Sequence, residues 1–321
     1  MEDSFSVRDI PTLTVFTPSY NHGRFLIRVY KSLKRQTNKD FCWIIVDDGS
    51  TDGTQEIVKD FLREPEFYIN YFLKENGGLH TAYNTAIEKI NTPLAACCDA
   101  DDVLVEDAVD KIVNFWLKNG SEKYAGIYGL CYDTEGKSIG GPFSEGLHKV
   151  NTKDIEIGRI KMKRGDMMLV VRSELYKQVA PMLGFEGEKY FNPHYMHHLI
   201  CKKYDFLVLN ECLMIKEYQV DGLSNNMLWQ YYNSPRSFRE IRRLYLGFKE
   251  ASLKYKVKNA IHYSSSCILA HDIGGVLKSP CPFLIMVLFP LGLLFSIYIR
   301  VKIKFGHKSS IWTRKKLNKT R

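Results

Sequence analysis

Leu94-Ala95-Ala96-Cys97-Cys98-Asp99-Ala100-Asp101-Asp102-Val103-Leu104 is the stretch whose reading decides the fold. Small and apolar residues run without a break into three carboxylates spaced Asp-x-Asp-Asp. The run is short and starts after Pro93, so it predicts a buried strand. Such a strand does not hold charge in its middle, which puts the acids at its C-terminal end. In an open α/β sheet that edge is where ligands bind. Gathered carboxylates repel one another, and a hard divalent cation between them relieves the repulsion. A strand end followed by an acid-rich helix N-terminus, favoured by the helix dipole, is the plainer alternative.

Working upstream, Thr12 to Thr17 (TLTVFT) predicts a first buried strand. Pro18-Ser19-Tyr20-Asn21 is a turn, and a helix follows over about Arg24 to Arg35 with Phe25, Leu26, Val29 and Leu33 on one face. Cys42 to Val46 predicts a second strand, ending in Asp47-Asp48-Gly49-Ser50-Thr51-Asp52-Gly53-Thr54 and a helix over Gln55 to Leu62. Phe67 to Leu73 is a third strand. Glu75-Asn76-Gly77-Gly78 breaks it, and Leu79 to Ile90 is the next helix. Four strand–turn–helix units in succession imply a parallel, doubly wound α/β sheet with right-handed crossovers. Its turns at Pro18–Asn21, Asp47–Thr54 and Asp99–Asp102 then share the carboxyl edge and can converge on one ligand.

Four motifs, TVFTPSYN, IIVDDGSTDGT, ENGGLHTAYNTAI and CCDADD, in this order and spacing, resemble the family 2 glycosyltransferases with the nucleotide-sugar-binding GT-A fold. The resemblance covers roughly residues 10 to 225 and is close over the first 110. It implies a Rossmann-like, mostly parallel sheet with helices on both faces. No G-x-G-x-x-G or G-x-x-x-x-G-K-[ST] occurs, which argues against a dinucleotide or ATP-dependent enzyme.

The resemblance also distributes roles. Pro18 and Tyr20 would wall the base, and Asn21 would be a further nucleotide-sugar contact. Asp48 would accept from a pyrimidine N–H and the ribose hydroxyls, with Asp47 and Asp52 as local caps. Gly77 and Gly78 would allow close backbone approach, and Asn84 would stand near the nucleotide or on a solvated helix face. Asp99, Ala100, Asp101 and Asp102 match the family's Asp-x-Asp motif. Asp101 would bind Mn²⁺ or Mg²⁺ directly, Asp99 would contact sugar or ribose and serve as a possible ligand, and Asp102 would be a second ligand or orienting group. The ion would neutralise the departing diphosphate.

An inverting transfer needs a base for the acceptor hydroxyl. In relatives, the segment resembling FEGEKYFNPHYMHHLI carries a carboxylate just after the proline. Here that position is His194, with Glu186 and Glu188 upstream as alternatives. A partly exposed helix face is the plainer reading of His194, His197 and His198. Downstream of the acids, Asp107 to Leu117 predicts a helix, Tyr124 to Tyr132 a strand, and Ser173 an N-cap for Glu174 to Ala180. Glu217 to Ser224 is a candidate mobile loop over the diphosphate.

Composition bounds the rest. With 321 residues, 45% of them hydrophobic, the chain can bury a full core. Eight cysteines without C-x-x-C spacing read as reduced core residues of a cytosolic protein. The charged N-terminus MEDSFSVRD shows no signal peptide. The net charge of +9 resides in Arg300, Lys302, Lys304, Lys308, Arg314, Lys315, Lys316, Lys319 and Arg321, since the other 36 cations balance 36 acids. That distribution argues against nucleic acid as a partner and for a tail that meets an anionic surface. Cys281 to Ile299 carries no charge, near the minimum for a membrane span, and is interrupted by Pro282, Pro290 and Gly292. A re-entrant or in-plane segment bent at Pro290 keeps both ends on the cytoplasmic face of the cell membrane. Ser237 to Lys256 predicts a basic amphipathic helix, suited to a membrane surface or to packing on the catalytic domain. The expected organisation is a GT-A domain over 1–225, split near 105 into nucleotide and acceptor halves, a helical extension over 226–275, and a membrane-associating segment with basic tail over 276–321. The expected partners are a nucleotide-sugar donor, probably UDP-linked, and a lipid-linked or polymeric glycan acceptor. A donor-binding subunit that scaffolds partner enzymes without turnover is the rival.

Overall fold

The computed structural model describes residues 10–162, 165–219 and 222–317. The expectations on residues 1–9, on Val220 and Asp221 of the candidate loop, and on Lys319 and Arg321 fall outside it. The chain divides into two compact units: Met1–Met182 with Pro193–Gln219, and Leu183–Asn192 with Val220–Arg321.

The first unit begins with β1 (Leu13–Ser19), α1 (Gly23–Lys34), β2 (Phe41–Asp47), α2 (Thr54–Arg63), β3 (Tyr68–Leu73), α3 (Leu79–Lys89) and β4 (Leu94–Cys97). These follow the sequence reading to within two residues at each end. It continues with β5 (Val103–Leu104), α4 (Ala108–Asn119), β6 (Tyr124–Tyr132), β7 (Lys149–Val150), α5 (Thr152–Glu156), β8 (Met167–Arg172), α6 (Ser173–Val179), α7 (His194–Ile200) and β9 (Asp205–Ile215). All the strands form one sheet in the order β3-β2-β1-β4-β8-β6-β9-β5, with β7 on β9.

The sheet is mixed. β1 pairs β2 and β4 in parallel, and β2 pairs β3 in parallel. β8 runs antiparallel to both β4 and β6, and β5 and β7 antiparallel to β9. β6 and β9 also pair in parallel, so parallel pairing is not confined to β1–β4, the stretch expected from sequence to form a nucleotide half. Every residue of β1 and β2 is buried, because helices cover both faces, and the strands are accordingly mostly apolar, with Thr14, Thr17, Ser19 and Asp47 as their buried polar residues. The core runs from Leu13, Val15, Trp43 and Ile45 through Leu94 and Ala96 to Ile127, Val170 and Leu213. At Gly126 a φ of 148° and the carbonyl of Val170, 1.9 Å from a would-be Cβ, exclude any side chain. Ser173 is not the cap of α6 but its first residue; Arg172 holds the cap position.

The second unit comprises α8 (Met227–Asn233), α9 (Pro235–Leu246), α10 (Leu253–Leu269) and α11 (Pro282–Leu317). The predicted single helix over Ser237 to Lys256 is two. Gly247 caps the first, and the Ser252 hydroxyl accepts from the Tyr255 N–H to start the second. The stripe of Ile241, Tyr245 and Phe248 is buried, so it packs inside the protein rather than facing a membrane. Leu246, Ala260, Tyr263, Cys267, Val276 and Ile285 form this unit's core. α11 is one helix with Pro290 inside it, so of the re-entrant or in-plane segment expected, the form broken at Pro290 is not seen. Gly292 lets it approach α10 closely, since a Cβ there would lie 1.9 Å from the Ser264 hydroxyl. Over Pro282–Phe305 the helix is long and apolar enough to cross a membrane, and Phe283, Val287, Leu294 and Phe305 are exposed along it.

Candidate functional site

β1, β2 and β4 point the same way, so the segments after Ser19, Asp47 and Cys97 leave the sheet at one edge. There Asn21 adopts a positive φ of 54°, a conformation that asparagine tolerates better than most residues. Its side-chain oxygen accepts from the Thr51 N–H at 2.8 Å, and its own N–H donates to the Ser50 hydroxyl at 2.8 Å. The two turns are thereby tied together. Pro18 is buried inside β1, whereas Tyr20 is exposed beside the turn and presents an aromatic surface.

Asp47 and Asp48 are both buried, with different work. Asp47 accepts from the Ser50 N–H at 2.8 Å and the Tyr71 hydroxyl at 2.7 Å, a strand-end cap as expected. Asp48 accepts from Lys74 Nζ at 2.7 Å, the Gly77 N–H at 3.0 Å and the Gly78 N–H at 2.7 Å. Its carboxylate thus organises the Gly77–Gly78 turn, and Gly78 takes a φ of 96° there. Sequence reading gave Asp48 only to the nucleotide; the structure also makes it the anchor of the next loop. Asn84 departs further from expectation. Its amide donates to the Met182 carbonyl at 3.2 Å and accepts from the Met182 N–H at 2.8 Å, which commits the side chain to a loop.

After β4 the Cys98 N–H donates to the Phe16 carbonyl at 2.9 Å, which extends the ladder. The Asp102 N–H then donates to the Asp99 carbonyl at 3.0 Å and closes a turn. Ala100 packs into the core. Asp99 is half-exposed, Asp101 partly buried and Asp102 buried. Burial, and then the charge of Asp99, raise the pKa of Asp101 above the usual carboxylate range.

The third carboxylate is already paired. Lys216 Nζ makes a short contact with Asp102 Oδ2 and lies 3.3 Å from Asp99 Oδ2, and the Glu217 N–H reaches Asp102 Oδ1 at 3.4 Å. Burial opposes charge on Lys216, but Asp99 and Asp102 outweigh it and raise its pKa, so the ammonium stays charged. The candidate loop read from sequence begins at Glu217, one residue past this lysine, which went unnoticed. A single cation ending the apolar run Cys212-Leu213-Met214-Ile215 was the available signal. Asp166 was also missed as a site group. It accepts from the Tyr218 hydroxyl at 2.9 Å, and its charge acts on His194 and Lys216.

Among the described residues no three His, Cys, Asp or Glu side chains stand together as a ready metal cage. Magnesium-type sites seldom need one, since one or two carboxylates and the substrate's phosphates suffice. Asp99 and Asp101, hard oxygen donors whose mutual repulsion calls for countercharge, fit that two-carboxylate role. Asp102 is instead engaged by Lys216 and the Glu217 N–H, as an orienting group would be.

The candidate bases separate. His194 opens α7, and its ring is 5.4 Å from that of His197, edge to face. It retains solvent access, yet surrounding protein disfavours charge on it and lowers its pKa, partly offset by Asp166 and Glu156. A neutral imidazole near pH 7 is able to take a proton. His197 and His198 are not an exposed face but buried; their partners are the Tyr176 hydroxyl at 2.9 Å and the Thr152 hydroxyl at 3.1 Å. In the second unit Glu188 is buried and accepts from the Arg236 N–H at 2.8 Å, the Ser237 N–H at 2.8 Å and the Ser237 hydroxyl at 2.7 Å. It caps α9 and is spent there, while Glu186 is exposed. Replacing Glu188 with alanine is expected to cost about 1–3 kcal/mol, because buried helix-end donors lose their acceptor. Urea unfolding would measure it, and UDP affinity should not change.

The sequence model described as Glycosyl transferase family 2 matches residues 14–168. A GalNAc(5)-diNAcBac-PP-undecaprenol beta-1,3-glucosyltransferase of Campylobacter jejuni is 24% identical over 247 residues, which span 75% of this chain and 73% of that one. Over several other curated bacterial relatives the match spans less than half of their length. Among solved structures, S. aureus TarS in complex with UDP-GlcNAc superposes with a TM-score of 0.55 at 14% identity, covering 92% of each chain. A mannosyltransferase from Pyrobaculum calidifontis in complex with GDP-Man and Mn2+ gives 0.54 at 14% identity, covering 91% of this chain and 86% of that one. At such identity these structures speak for a shared fold.

Proposed function

Since residues 14–168 place this chain among the family 2 glycosyltransferases, we propose that it is a metal-dependent inverting enzyme acting on a UDP-linked sugar. The acceptor would be a hydroxyl of a lipid-linked or polymeric glycan in bacterial surface-polysaccharide synthesis. The observation that carries the reading is the Asp99–Asp102 turn. It sets two carboxylates and a buried ammonium at the edge where three loops of the nucleotide half meet.

The chain's own groups suit each part of the transfer. Tyr20 offers a stacking surface for the base. Asp48 holds the Gly77–Gly78 backbone in place and keeps acceptor capacity on Oδ2 for a nucleotide N–H or hydroxyl. The acceptor oxygen attacks the anomeric carbon as the bond from that carbon to the diphosphate oxygen breaks, and the acceptor proton passes to a ring nitrogen of His194. Asp99 and Asp101 would hold a divalent ion, whose chemistry would be charge stabilisation of the leaving diphosphate. Lys216 adds a fixed positive charge nearby.

The apolar stretch of α11 and the cations that follow it support attachment to the cytoplasmic face of the cell membrane, where sugar nucleotides and lipid-linked acceptors meet. A donor-binding subunit without turnover is the second reading, favoured by histidine standing where relatives carry a carboxylate. A panel of nucleotide sugars, assayed for UDP or GDP release with and without Mn²⁺, tests the proposal. Release from none of them, with binding intact, would favour the scaffold. Asp101→Asn is expected to weaken Mn²⁺-dependent UDP binding about tenfold or more, equivalent to ~1.4 kcal/mol or above. An unchanged affinity would remove Asp101 from the metal site.

A further inference from the structure

We propose that Lys216 is the resident counter-ion of Asp99 and Asp102, and that it makes capture of a divalent cation depend on the donor diphosphate. The proposal rests on the glycosyl-transfer reading above.

The pairing is built by sheet register rather than by a chance side-chain contact. β5 and β9 are antiparallel with Val103 opposite Ile215, so the next pair outward is Asp102 opposite Lys216. The Lys216 N–H donates to the Tyr132 carbonyl at 2.8 Å, which fixes the backbone from the other side. The lysine side chain is 12% exposed and that of Asp102 3%, so neither exchanges its partner for water cheaply. Asp99, at 49%, is the member of the group that solvent and ligand can reach.

Two consequences follow from this arrangement. The ammonium already neutralises part of the carboxylate charge, and it repels a second cation arriving at Asp99. A divalent ion meeting the free enzyme therefore finds a weakened site. A diphosphate reverses the balance. Its oxygens supply negative charge to both the ammonium and the ion, and they complete the coordination that two carboxylates leave open. Metal and donor thus enter together, and a metal-loaded enzyme without nucleotide is disfavoured.

Manganese binding, followed by the loss of the free-ion paramagnetic resonance signal, tests this on the full-length chain with and without UDP. For the wild type, weak binding alone and at least tenfold tighter binding with UDP are expected. Lys216→Met should bind manganese alone at least tenfold tighter than the wild type. Lys216→Arg, which keeps the charge, should behave as the wild type does. If Lys216→Met fails to fold because Asp102 is left buried and unpaired, the double variant Lys216→Met with Asp102→Asn carries the same expectation. Variants that bind manganese alone no tighter than the wild type, while UDP still promotes binding, overturn the role of Lys216 and leave the enzyme reading intact. UDP binding that recruits no manganese to any variant overturns the metal-dependent reading, and this proposal with it.

Discussion

Replacement of His194 by alanine is expected to lower the transfer rate by about 10²–10⁴-fold, the usual contribution of a positioned general base. UDP affinity should stay the same, because the turns proposed to hold the nucleotide belong to other segments of the sheet edge. The histidine pKa lies below its ordinary value, chiefly through partial desolvation. The imidazole therefore remains a competent base below pH 6.5, and the acid limb of the rate profile should fall under that value. In the alanine variant this limb should vanish along with most of the rate. His194→Glu should restore part of the activity, since a carboxylate at that position can also take the acceptor proton. A full rate in His194→Ala with a large loss in Asp166→Asn would transfer the base role to Asp166, whose charge acts on the same ring.

The second large effect is on stability in mild acid. Burial pushes the His198 pKa down to about 3, and the neighbouring His194 adds to the shift. Burial holds His197 well below its ordinary value too, again with help from His194 and His198. Both rings stay neutral in the folded protein down to low pH, whereas in the unfolded chain they take up protons near pH 6.5. Below that point the unfolded state binds more protons, so stability is present above pH 6.5 and is lost as pH falls towards the folded values. Between pH 7 and pH 5 each ring should cost about 2 kcal/mol, at ~1.4 kcal/mol per pH unit. Together that is about 4 kcal/mol, a large share of the ~5–15 kcal/mol that holds a domain folded. Equal urea midpoints at pH 7 and pH 5 would refute this account.

Most of the half proposed to bind the nucleotide, β1 to β4, was legible from sequence alone. Its strands are continuous apolar runs, its helices carry one apolar face, and Gly, Asp and Asn mark the turns, so local pattern and chain order suffice. The part of the sheet beyond β4 was less so. β8 joins β4 and β6 in antiparallel fashion, and such a partnership between distant segments leaves no periodic trace along the chain. The same limit blurred the second unit, where Gly247 ends a helix that an unbroken amphipathic stripe had extended to Lys256.

The sequence by itself determined that a family of carboxylates would end a buried strand at the ligand edge, because burial forbids charge inside the strand. It also determined the apolar stretch near the C-terminus and the cations beyond it. Only the tertiary structure decided which of those carboxylates are available. Asp102 lies one position from Asp101 in the chain, yet the β5–β9 register hands it to Lys216, 114 residues away. Glu188 was equally plausible as a base until the N-terminus of α9 claimed both of its oxygens. A carboxylate's chemistry follows from the donors packed around it, and those donors come from parts of the chain that meet only on folding.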